Sequence, residues 1–128
     1  FIGGGIAHGP GTRVYRDRTP KKMKKKALNM AISQRLSEAS VFVLSGKNFD
    51  TPSTKQAVAS LNELKIERGF TFVYSDNDEN LYKSFKNIKN SRLVSVKKLA
   101  AIDVISTDDT IFSDNAISAF LGDQSWSI

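Results

Sequence analysis

No cysteine occurs in these 128 residues. That absence excludes disulfide scaffolds, cysteine-based zinc sites and thiol catalysis, and nothing argues for secretion. There is one histidine, His8. It has no second histidine with which to share a metal and no paired carboxylate nearby to orient it, so no metal site and no Ser-His-Asp grouping is expected. No apolar run approaches the roughly 18 residues of a membrane span. Phe1 and Ile2 lead into glycines, not into a charged and then apolar leader. With Phe rather than Met at position 1, we expect a piece of something longer. Acids are scarce at one end only. Residues 1–35 hold nine cations against Asp17 alone, a net charge of +8, whereas the remainder is −2. The total of +6 is therefore a one-ended field, which suits a polyanionic partner met at that end.

About 40% of the chain is apolar, enough for an ordinary core in a single domain. Residues 1–18 show neither helical nor strand period and are read as an extended Gly/Arg-rich arm. Thr19-Pro20 reads as a helix start, with Thr as cap and Pro at the first helical position. In the helix that follows, Leu28, Ile32 and Leu36 form the apolar stripe, with Met23, Ala27 and Ala31 beside it. Lys21, Lys24 and Lys25 are expected on one face and Lys22 and Lys26 on another, all off the stripe.

An alternation follows. Strands are expected at 40–46, 70–75, 93–97 and 110–113. Thr51-Pro52 repeats the helix-start signal, before a helix whose apolar face is Ala57, Val58, Leu61 and Leu64. "DNDENLYKSFKNI" opens with acids suited to a helix N-terminus and carries Leu81, Phe85 and Ile88. "AAIDVIS" reads as one helical turn. Asp114 is read as the cap of "NAISAFL", and Gly122 as its stop. Strands alternating with helices imply an α/β, three-layer Rossmann-like domain over 19–122, its sheet mixed or mostly parallel with about four strands, followed by a tail at 123–128.

The glycines fit no nucleotide loop. No Lys follows them until Lys21, the last position of a G-x-G-x-x-G begun at Gly3 is His8, and no strand precedes them. "DNDEN" resembles the start of a calcium loop, but Leu81 replaces the required Gly and Asn87 the required Glu, so capping explains its acids better. No cofactor, no metal and no enzyme chemistry is indicated.

RNA chemistry does suit the first two dozen residues. Glycine lets backbone approach a phosphate or sugar closely and donate its N–H. Arginine forks onto phosphates or stacks on bases, and Tyr15 offers a stacking face. Lysines at a helix N-terminus add to an anion site. Lysines alone describe a solvated patch and glycines alone a flexible linker; their adjacency favours a binding segment. The candidate contacts are Gly3, Gly4, Gly5, His8, Gly9, Arg13, Tyr15, Arg16, Arg18, Lys21, Lys22, Lys24, Lys25 and Lys26.

"GGGIAHGPGTRVYRDRTPKKMKKKALNMAIS" resembles the bacterial type of the large-subunit ribosomal protein four family, in which a triple glycine leads through Gly-Pro, Arg and Tyr to a Pro-Lys-Lys helix start. "NFDTPSTKQAVASL", "DENLYKSFKNI" and "VKKLAAIDVISTDDTIFSDNAI" resemble their counterparts in the same order, so the likeness runs from about Gly3 to Phe120. It implies a non-enzymatic ribosomal protein that binds large-subunit ribosomal RNA, acts early in subunit assembly, touches neighbouring large-subunit proteins and, in some bacteria, its own messenger RNA. It implies no membrane, and a place in ribosomes of the cytoplasm or of an organelle. The family's N-terminal strand and the outgoing limb of its long tunnel-lining loop have no counterpart in this sequence. The alternatives are an RNA-binding α/β module outside the ribosome and a fragment of a nucleotide-using enzyme.

Overall fold

The computed structural model describes residues 2–5, 8–9, 11–13, 18–47 and 49–122. Its elements are α1 (Lys21–Ser37), β1 (Val41–Leu44), α2 (Thr54–Glu63), β2 (Phe70–Tyr74), α3 (Glu79–Phe85), β3 (Ser91–Ser95), a 3-10 turn (Val96–Lys98), α4 (Ala101–Ile105), β4 (Asp109–Ser113) and α5 (Asp114–Gly122). All four expected strands are present, each displaced by no more than two residues at either end. The sheet is wholly parallel, in the order β1-β4-β2-β3.

That order places the helices. Connections leaving β1 and β2 run one way across the sheet, and the return from β3 to β4 runs the other. Parallel crossovers are right-handed, so a reversal of direction moves the connecting helix to the opposite face. Accordingly α2 and α3 cover one face, where Ala57, Leu61, Leu81 and Phe85 meet Phe70, Phe72 and Ile111. On the other face α1, α4 and α5 bring Ala31, Ile32, Val104 and Ala116 onto Val73 and Phe112. Alternate residues of β2 and β4 thus feed two cores, the three-layer arrangement expected of a sheet buried on both sides. Aromatic packing concentrates in the first core, where the rings of Phe72 and Phe85 stack at 4.3 Å and Phe70 meets Phe85 edge-on at 6.3 Å.

Several local readings need correction. Pro20, not Thr19, is the residue flanking α1, with φ −56° and ψ 141°, and no side chain caps that end. Ser53 rather than Thr51 caps α2, its hydroxyl accepting from the Gln56 N–H. The Ser113 hydroxyl accepts from the Ala116 N–H at the start of α5, while the Asp114 carboxylate instead accepts from the Gly46 N–H at 2.8 Å and ties the end of β1 to that helix. Gly122 is the last residue of α5. In α1 the stripe fades at both ends: Leu28 is half-buried and Ile32 buried, but Leu36 is exposed. Val58 is likewise exposed, and buried Ser60 takes its place in the α2 face.

Candidate nucleic-acid interface

The described residues of the arm are all exposed, among them Gly3, Gly4, Gly5, His8, Gly9 and Arg13. Gly3 and Gly4 have φ of +109° and +77°, in the region that residues with a Cβ rarely occupy. No atom would come within 4 Å of a Cβ built on either one. Their need for glycine therefore lies in the backbone turn and leaves the space around it open to another molecule. His8 is exposed too, and no group of three metal-ligating side chains occurs among the described residues. Tyr15 and Arg16 lie outside the described residues, as does the 123–128 tail.

Lys21, Lys22, Lys24, Lys25 and Lys26 are all exposed, as is Arg18. The expected grouping of Lys21, Lys24 and Lys25 on one face is consistent with the helical spacing, but their position off the apolar stripe is not. Lys21, Lys25, Leu28 and Ile32 follow one another at intervals of three and four, so the lysines continue the core-facing stripe. They stay exposed because no residue of 21–27 is even half-buried; burial starts at Leu28. The first seven residues, about 10 Å of helix, project past the body. That projection was missed in the sequence, where nothing marks how far the sheet reaches.

The start of α1 lacks an acidic or capping group among the described residues: no acid occupies its first turn and no side chain caps it. Its first satisfied N–H groups belong to Met23 and Lys24, both donating to the Pro20 carbonyl. A helix N-terminus carries about half a positive charge, and the lysines add to it. Exposed N–H groups, a partial positive pole and clustered ammonium groups converge here, an arrangement that binds anions.

The carboxyl ends of β2 and β4 are different in sign. A pocket of about 400 Å³ there is lined by Asn77, Asp78, Glu79, Asn80 and Asn115. The buried Asp78 carboxylate accepts from the Ser75 N–H at 2.9 Å, from the Asn115 amide at 2.6 Å and from the Ser113 hydroxyl. The acids of "DNDEN" are expected to cap α3, and Asp78 does flank that helix, yet its side chain makes no capping bond to it and serves instead as a knot between β2, β4 and α5. Folds of this class hold nucleotide phosphates at the carboxyl ends of their strands. Here Asp78 and Glu79 would repel them.

A sequence profile of the ribosomal protein L4/L1 family matches residues 1–122. The large ribosomal subunit protein uL4 of Frankia casuarinae is 42% identical over 122 residues, covering 94% of this chain and 50% of the relative. The same-named protein of Corynebacterium glutamicum strain R is 40% identical, covering 94% and 56%, and that of Cytophaga hutchinsonii is 34% identical over 119 residues, covering 92% and 57%. The chain spans about half the length of the curated relatives it matches.

Proposed function

The chain belongs to the ribosomal protein L4/L1 family, and on that premise we propose that it is a constituent of the large ribosomal subunit that grips ribosomal RNA with its basic end. The domain at 19–122 is the support, the arm at 1–18 is a second contact with the RNA, and neighbouring large-subunit proteins surround it. The role is structural, in subunit assembly, without catalysis or cofactor. The observation that carries this reading is the projecting start of α1, where five exposed lysines stand on an uncapped helix end with no acid in the first turn. Such an end is costly for a free protein, because like charges crowd a pole already positive. A polyanion relieves that cost. The acid-lined pocket at the carboxyl ends of the strands weighs against the alternative of a nucleotide-using enzyme.

A salt titration tests it. If about five of Arg13, Arg16, Arg18 and the five lysines reach phosphates, log affinity for large-subunit ribosomal RNA falls with log salt at a slope of roughly −3.5 to −4.5. Lys21, Lys24 and Lys25 changed together to Ala should flatten the slope by roughly 2 to 3 units, with no loss of fold because all three are exposed. A variant that keeps the parent slope would reduce the lysines to a solvated surface. Co-sedimentation with large-subunit particles separates the ribosomal role from RNA binding elsewhere.

A further inference from the structure

Helix α1 is apolar on two sides, about a third of a turn apart. One side, Leu28, Ala31 and Ile32, packs on the sheet. The other carries Met23, Ala27 and Met30 at intervals of four and three, which places them in one column. Met23 is 61% exposed and Met30 64%, and these are the only two methionines in the chain. By the same helical spacing, Lys22 and Lys26 flank the column on one side and Lys24 on the other.

We propose that this column is a groove-packing surface for double-stranded RNA, with Met23, Ala27 and Met30 lying on the floor of the minor groove and the flanking lysines reaching the phosphates of its two banks. The inference rests on the RNA-binding reading above and adds which form of RNA is met and by which face. Charge complementarity selects the occupant. Cations on both flanks and no acid in the first turn call for anions on both sides of an apolar strip. A-form RNA offers that pattern in its minor groove, which is wide and shallow, displays sugars and base edges, and is bounded by two phosphate backbones. Its major groove is deep and narrow and admits no helix face. The stretch from Lys22 to Met30 rises about 12 Å, which matches the helix width of about 10–12 Å, so the contact is compact. Methionine suits such a floor, being unbranched and polarisable and able to follow an uneven surface of base edges.

The test compares binding of the full chain to a mixed-sequence RNA hairpin and to poly(U). Met23→Gln with Met30→Gln should weaken hairpin binding about tenfold, leave poly(U) binding within about twofold and leave the salt slope unchanged, because only apolar contact is lost. Met23→Leu with Met30→Leu should bind the hairpin as the parent does. Thermal midpoints should not move, since both side chains are exposed. A glutamine pair that binds the hairpin like the parent, or that loses as much on poly(U), overturns the proposal; the first result leaves the column to a protein partner. Lys22→Ala with Lys26→Ala keeps the outcomes apart. A flattened slope in that variant beside an unaffected glutamine pair overturns the groove assignment alone. An unchanged slope also overturns the groove assignment, because its bank contacts are then absent, while the RNA reading on which it rests is decided by the Lys21, Lys24 and Lys25 variant.

Discussion

At the scale of single residues, buried polar groups show most clearly what is satisfied and what is not. The Thr110 hydroxyl is fully buried in the central strand β4 and has no hydrogen-bond partner among the described residues. Its neighbour in register, Thr71, donates to or accepts from Thr107 and reaches the Asp103 carbonyl at 2.8 Å. An unpaired buried hydroxyl costs about 1–3 kcal/mol. Thr110→Val keeps shape and β-branching while removing the orphan, so it should be neutral or stabilising by up to about 1 kcal/mol in urea unfolding. A loss of that size would mean the hydroxyl has a partner. Asp78→Ala should do the reverse, stranding three donors and costing about 2–4 kcal/mol. Asp109 adds a pH dependence. Partial burial, then repulsion from Asp108, raises its carboxyl above the ordinary value near 3.8, with Arg68 and Arg35 only partly offsetting. A raised value means the folded chain holds this proton more tightly, so the penalty is absent below the ordinary value and grows as pH rises through the folded one. Asp109→Asn should therefore be more stable than the parent near neutral pH, and its advantage should vanish near about pH 3.5.

At the scale of elements, helix ends explain what could be read in advance and what could not. Strand cores were legible because "VFVL", "FTFVY" and "TIFS" put apolar residues on both faces of a covered sheet. The ends of α1 and α2 were not legible. Both close with the Schellman pattern, Ser40 N–H to the Arg35 carbonyl at 3.0 Å and Ile66 N–H to the Leu61 carbonyl at 3.1 Å. The left-handed position that usually holds Gly is filled by Ala39 (φ 54°) and by Lys65 (φ 56°). Each carries steric strain of about 1 kcal/mol. Ala39→Gly and Lys65→Gly should each raise stability by roughly 0.5–1 kcal/mol in denaturant melts, against the usual direction of a glycine substitution. A drop in both would show that the strain is absorbed elsewhere. The candidate binding segment was legible in its residue types but not in its geometry. The lysines announce themselves by density, yet their relation to the apolar stripe depends on where the body ends under α1, which no local pattern records.

At the scale of the whole molecule, the basic end and the body are mechanically distinct. Residues 21–27 are all exposed, whereas β2 and β4 are each buried over four of their five residues. Limited trypsin treatment should cut first after Arg18 and within Lys21–Lys26, leaving the body intact for longer, and bound RNA should protect those sites. Early cleavage within α2 or α3 instead would place the weakest region in the wrong layer.

The strand order has one more consequence, and it concerns time. β4 is the last strand among the described residues, yet it lies inside the sheet, pairing Val41 with Thr110 on one side and Phe70 with Asp109 on the other. A growing chain that has delivered β1, α2, β2 and α3 still holds two strands that cannot touch each other, since the space between them is reserved for residues not yet made. The body then completes in one late step, when the segment 109–113 arrives, and chains cut short at Ser106 should show no cooperative melting. The arm at 1–18, by contrast, is made before any of these strands. A protein built in this sequence presents its cationic end to an anionic partner well before it has a fold to hold that end in place.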